Sequence, residues 1–368
     1  MSYLTDDFKN NTYIERDDKG RIIFWDNLKF LLILLVVVGH AIDFYTESSL
    51  SMRKVYVFIY SFHMPLFIFI SGYFSKSVIN KERFKIEKVF SYLLLYFLLK
   101  LSFFILYRYG FGSANVKFNF FSEGGVPWYL FVMAMWLCVT YIIKNIKPVY
   151  VIVAAILLGI LIGYDDSVSD FMCLSRVVVF YPYFILGYYF NEDNIIKILK
   201  CNKLKWVSLA ITLITIVVIM KFGDDVYRFR WFFSGRNSYV KLNEPIYGGI
   251  YRMAIYVLST LISLALIYII PKGKLFVTKF GTRTLQVYFL HYILLNIYHK
   301  YNLNSYIMNE FPKYWKILYI FLAIILTLIL SLKVFEYPFN KVMSIKLEKI
   351  FRGYDLGEEE KLPLKINQ

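Results

Sequence analysis

The sequence predicts an all-α, polytopic integral membrane protein of about ten transmembrane helices with both termini cytoplasmic. Three observations lead there. Of the 368 residues, 58% are hydrophobic and 20% aromatic, with a mean hydropathy of +0.53, well beyond what a soluble domain needs. Apolar runs of roughly 17 to 22 residues recur along nearly the whole chain, and a helix of that length crosses about 30 Å of hydrocarbon. Lysine and arginine gather in alternate connecting segments, which orients the spans.

Taken in order, residues 1–23 are polar and charged, and the apolar run after them ends in no small-residue cleavage site. That run is therefore expected to be a retained span and not a signal peptide. Spans are expected at 24–43, 56–75, 89–107, 128–145, 148–164, 175–190, 205–221, 249–270, 283–299 and 315–333. An even number leaves both termini on one side. The segments on that side are 1–23, 76–88, 144–147, 191–205, 271–283 and the residues after 333; they are rich in Lys and Arg, so that side is cytoplasmic. The opposite segments 108–127 and 222–248 are longer and richer in Gly, Asn, Ser and aromatics, as substrate-facing loops or lids would be. Arg228, Arg230, Arg236 and Lys241 lie in the second of them, either to meet an anionic glycan or head group or simply solvated. The chain thus divides into a cytoplasmic segment (1–23), one membrane domain (24–340) and a cytoplasmic tail (341–368), with no repeat of fixed period.

The formal net charge is +16, from 42 Lys and Arg against 26 Asp and Glu. Because the excess falls in cytoplasmic loops, its partner is anionic membrane lipid, and no nucleic acid is expected. Cys138, Cys173 and Cys201 are scattered and suggest neither a disulfide framework nor a zinc site, so no metal is expected.

Ionisable residues inside a span are costly and are candidate functional residues by default. The first span holds Asp26, Lys29, His40 and Asp43. Lys29 and His40 are eleven residues apart, about 20° around a helix and about 16 Å along it, so they share one face. Asp26 precedes Lys29 by three residues and Asp43 follows His40 by three, within reach to orient or charge-tune those partners. The plainer alternative is an interfacial ion pair and a packing histidine. In the second span His63 falls in the same half of the membrane as His40, Pro65 opens the backbone ladder, and Ser71 and Gly72 permit close approach of a helix or ligand. Lys100 lies near the middle of the third span, where it faces the interior or snorkels, and His291 lies near the middle of the ninth. Arg176 and Arg252 read as interfacial anchors, and Glu336 as a capping or pairing residue. Lys81, Arg83, Lys85 and Lys88 suit either anionic lipid or the phosphates of a nucleotide-bearing thioester. No Gly-rich phosphate loop or nucleophile elbow occurs.

Asp26-Asn27-Leu28-Lys29 leading through an apolar run to Gly39-His40, Phe62 to Phe74, Trp128-Tyr129-Leu130, Tyr181 to Gly187 and Gly281 to His291 together resemble the acyltransferase-3 family, in its fucose 4-O-acetylase-like branch. The resemblance implies transfer of an acyl group, usually acetyl from cytoplasmic acetyl-CoA or another acyl-CoA, to a hydroxyl of a cell-surface polysaccharide or lipid-linked glycan at the bacterial cytoplasmic membrane. It maps the family's basic residue and histidine onto Lys29 and His40, with lysine where arginine is commoner, and its basic pair onto Lys85 and Lys88, with Ser91 in place of a proline. His40 is then the expected general base or acyl carrier. Asp26, Lys29 and Asp43 are its expected catalytic partners. His63, Ser71, Trp128 and His291 are expected to bind acceptor, and Arg83, Lys85 and Lys88 to bind the donor. The rival reading is a glycan or lipid exporter without acyl-transfer activity.

Overall fold

Each of the ten apolar segments is helical in the computed structural model, which describes residues 15–346 apart from 19, 82–83, 124 and 169–170. The helices are α1 (Ile23–Asp43), α2 (Leu50–Tyr60), α3 (His63–Ile79), α4 (Ile86–Ile105), α5 (Trp128–Ile143), α6 (Pro148–Leu161), α7 (Leu174–Tyr189), α8 (Glu192–Lys200), α9 (Asn202–Lys221), the short α10 (Gly223–Tyr227) and α11 (Arg230–Ser234), α12 (Gly248–Ile269), α13 (Thr284–Lys300), α14 (Asn304–Glu310), α15 (Trp315–Leu330) and α16 (Glu336–Met343). Among the described residues the only β pairing is two isolated bridges.

By length and composition, five helical stretches suffice to cross a membrane: Ile23–Asp43, Leu50–Ile79, Ile86–Gly110, Asn202–Lys221 and Gly248–Ile269. The pair α15 and α16, bent by 62°, makes a sixth. The apolar α5 and α6 are shorter, and α7 and α13, of 16 and 17 residues, carry buried polar side chains. Helices enclosed by other helices need neither the length nor the uniform apolarity of a lipid-facing one, because their polar groups find partners in the protein. Large apolar side chains stand exposed on α6 (Val153, Leu157, Leu161), α9 (Leu213, Val217, Met220), α12 (Met253, Val257) and α15 (Ile317, Phe321), as contact with lipid demands.

The expected second span is broken. Helix α2 ends at Tyr60, Phe62 leaves the helical region at φ −144°, and α3 begins at His63. Pro65 has no N–H for the Ser61 carbonyl, and Ser259 of α12 donates its hydroxyl to that oxygen at 2.5 Å. The break therefore leaves the Ser61 carbonyl satisfied, and it aims α2 and α3 independently.

Helix α1 lies at the centre, packed on α2, α3, α13 and α15. Its Asn27 anchors one end: the amide donates to the carbonyls of Pro271 and Gly273, both at 2.9 Å, and accepts from the Thr278 hydroxyl at 2.6 Å. At the other end the Arg53 guanidinium binds the carbonyls of Thr46 and Glu47 and the Asp224 carboxylate, tying the turn after α1 to α10. Helices α3 and α7 cross so closely that a Cβ on Gly72 would strike the Phe184 carbonyl, and one on Gly187 the Phe69 carbonyl. Gly72 thus serves helix approach. Ser91 donates to the Val342 carbonyl at 2.9 Å and joins α4 to α16, a bond that proline could not make.

Candidate active site

A cavity of about 250 Å³ opens at the His40 end of α1. His40 and Asp43 from α1, Tyr56 and Tyr60 from α2, and His63 and Met64 from α3 line one side. Trp128, Arg176, Tyr288 and Tyr292 from α5, α7 and α13 line the other, and Trp231 and Arg236 of the 222–248 segment cover it. The break between α2 and α3 is what brings Tyr60 and His63 into the same cavity as His40. Tyr60 Oη lies 3.4 Å from His40 Nδ1, and the Tyr292 ring meets the imidazole edge-on at 5.0 Å between centroids.

His63 and His291 are held alike. Each has Nδ1 against a carbonyl one helical turn earlier, Ile59 at 2.8 Å and Val287 at 3.0 Å. A carbonyl only accepts, so Nδ1 carries the proton in both rings and each Nε2 presents a lone pair. His291 is fully buried and does not line the cavity; it sits behind His40 with ring centroids 5.4 Å apart, and its Nε2 has no hydrogen-bond partner.

A second cavity, of about 320 Å³, opens at the Lys29 end of α1. Lys29, Lys88, Ser71, Ser75, Tyr129 and Tyr288 line it. Lys29 is paired with Asp26 at 2.8 Å and lies over the Phe74 ring at 4.9 Å. Ser71 shares a 2.6 Å hydrogen bond with Tyr129. Tyr288 lines both cavities, and its hydroxyl donates to the Val126 carbonyl.

Against the sequence expectations, Lys29 and His40 lie on one continuous helix but line different cavities, and His40, His63 and Trp128 meet in one of them. Asp43 lines that cavity yet makes no hydrogen bond or ion pair with His40 among the described residues; Tyr60 occupies the Nδ1 position instead. Ser71 belongs with Lys29, and His291 backs His40 without lining either of these two cavities. Of the expected donor-binding bases, Lys88 reaches the Lys29 cavity, Lys85 is exposed outside it, and Arg83 lies outside the described residues. Arg176 and Arg252 are not interfacial: they are buried, Arg176 lying 5.1 Å from the Trp128 ring and Arg252 donating to the Phe232 carbonyl. Glu336 pairs with Arg283 at 3.2 Å. Lys100 does not snorkel, since the segment before α5 folds back to supply Glu123 at 3.0 Å.

Sequence reasoning missed Tyr60, Tyr288 and Tyr292. The chain has 33 tyrosines, so none stands out by type; only the hydroxyl-bearing residue beside the Ser61–Phe62 break offered a clue.

Comparison with known families matches residues 22–336 to an acyltransferase domain, that of the acyltransferase-3 family. Neither curated proteins nor solved structures gave a significant match. With apolar helices of membrane-crossing length, paired cavities along its central helix and a family match over most of its length, the chain belongs to the acyltransferase-3 family and is a multi-pass membrane acyltransferase.

Proposed function

We propose that the protein is an O-acetyltransferase of the fucose 4-O-acetylase-like type, moving acetyl from cytoplasmic acetyl-CoA to a hydroxyl of a surface polysaccharide or its lipid-linked precursor. In this reading all ten apolar segments cross the bacterial cytoplasmic membrane, both termini are cytoplasmic, and the Lys29 cavity faces the cytoplasm. The observation that carries it is the pair of cavities meeting at Tyr288, one holding Lys29 and Lys88 and the other holding His40 among aromatic rings.

The two cationic side chains suit the phosphates of an acyl-CoA. Lysine is a point charge without the planar fork of arginine, so the Lys29 contact is electrostatic and not bidentate. The aromatic and polar lining of the other cavity suits a sugar ring, whose hydroxyl is a poor nucleophile at neutral pH. His40 removes that proton on Nε2 while Nδ1–H donates to the Tyr60 oxygen. The alkoxide oxygen forms the new C–O bond to the acyl carbon, the C–S bond breaks, and the thiolate leaves on the Lys29 side. His63 Nε2, which carries no proton, accepts a hydrogen bond from a second sugar hydroxyl and orients the ring.

The test is NMR of surface polysaccharide from cells carrying the wild-type gene or His40→Ala. Loss of one O-acetyl signal with His40→Ala is expected. An unchanged O-acetyl pattern contradicts the proposal.

A further inference from the structure

A third cavity, beside Lys100, takes no part in the chemistry above. It holds about 350 Å³ between the second half of α4 and residues 116–123 and 125–127. Those residues connect α4 to α5, yet they fold back along α4. The Tyr96 hydroxyl donates to the Phe120 carbonyl at 2.6 Å, and Lys100 Nζ donates to the Ser122 carbonyl at 2.6 Å. Tyr96 lies nine residues before the end of α4, roughly 14 Å along the helix.

The Lys100–Glu123 pair is only 9% and 12% exposed. Such a pair is weak as a source of stability, because desolvation offsets its attraction. Its effect here is positional. The Glu123 carboxylate also accepts from Gly125 N–H at 2.6 Å, and the next carbonyl, that of Val126, is held by Tyr288. Gly125 and Val126 are therefore fixed from both sides. These two residues and the Tyr292 ring line both the Lys100 cavity and the His40 cavity. The two spaces adjoin along these shared residues, and the Tyr292 ring lies against His40 at 5.0 Å between centroids.

The Lys100 cavity has the make-up of a carbohydrate site. Phe103, Phe104 and Phe118 contribute aromatic rings to its lining, and the exposed Lys117 and Asn119 contribute polar groups suited to hydroxyls. At about 250 Å³ the His40 cavity alone falls below the usual range for a ligand site, roughly 300 to 1,000 Å³. We infer that the Lys100 cavity is a second acceptor subsite, holding the sugar next to the one acylated beside His40. The acceptor is then a glycan chain of at least two sugars and not a free monosaccharide. This rests on the glycan-acceptor reading above and specifies its substrate.

The experiment measures acetyl transfer from acetyl-CoA by the purified full-length protein in nanodiscs. Acceptors are mono-, di- and tetrasaccharide fractions of the cells' own surface polysaccharide, stripped of esters by alkali and cut by partial acid hydrolysis. Wild-type protein is expected to show a KM for the tetrasaccharide roughly tenfold below that for the monosaccharide, with similar kcat. Val116→Trp fills the Lys100 cavity and is expected to erase most of that advantage, leaving monosaccharide transfer unchanged. Asn119→Ala removes an exposed amide whose oxygen also accepts from the Phe121 N–H at 3.0 Å, and is expected to raise the tetrasaccharide KM roughly three- to tenfold with monosaccharide transfer unchanged. Equal KM values for the two acceptors in wild type, or an unaltered tetrasaccharide KM in Asn119→Ala, overturn the subsite while leaving the glycan reading intact. Transfer to none of the carbohydrate fractions overturns the acceptor reading, and the subsite with it.

Discussion

In the proposed mechanism Tyr60 decides which nitrogen of His40 takes the proton, because its hydroxyl lies 3.4 Å from Nδ1 and leaves Nε2 for the acceptor. Tyr60→Phe keeps the ring stack on Tyr56, 3.8 Å between centroids, and removes only the polar contact. Initial-rate kinetics are expected to show kcat lowered about five- to tenfold with the acyl-CoA KM unchanged. A normal kcat removes Tyr60 from the mechanism. At the other end of α1, Lys29→Met deletes the cation paired with Asp26, leaving a buried carboxylate, whereas Lys29→Arg restores charge and adds a fork. Methionine is expected to raise the acyl-CoA KM by tenfold or more and arginine to return it near wild type, as read from KM in the same assay. The eleven-residue spacing made Lys29 and His40 legible as one face. The same local geometry suggested Asp43 as the partner of His40 and could not reveal Tyr60, which arrives from another helix.

The break between α2 and α3 is the element on which the site depends. Proline at position 65 announced an interrupted ladder, but a single sequence cannot say which distant group satisfies it; that group is Ser259, 198 residues away. Ser259→Ala is expected to lower stability by about 1 kcal/mol, as a lost buried hydrogen bond does, measured as earlier thermal unfolding in detergent. Unchanged unfolding means that the Ser61 carbonyl finds another donor. Crossing α3 over α7 is stricter. At Gly187 any side chain meets the Phe69 backbone, so Gly187→Val is expected to separate the helices and cost about 1–3 kcal/mol or more, with acyl transfer lost through displaced His63. Here Gly72 was legible as a point of close approach, whereas Gly187 and the pairing of α3 with α7 were not.

For the molecule as a whole, hydropathy located every long helix among the described residues, since apolar surroundings, protein or lipid, leave their mark on local sequence. It could not show that residues 116–123 fold back along α4, because that arrangement depends on Tyr96 and Lys100 meeting Phe120, Ser122 and Glu123. Topology is testable directly. In a variant lacking Cys138, Cys173 and Cys201, a cysteine at Lys241 is expected to react with an impermeant thiol reagent in intact cells, and one at Lys85 only after permeabilisation. The reverse pattern inverts the protein. The most direct test of the whole account supplies radiolabelled acetyl-CoA to one face of proteoliposomes and de-esterified polysaccharide to the other. Label is expected to reach the polysaccharide when the donor is on the Lys29 side, and to stay on coenzyme A with His40→Ala. Equal transfer by wild type and His40→Ala would contradict a pathway that runs from Lys29 past Tyr288 to His40.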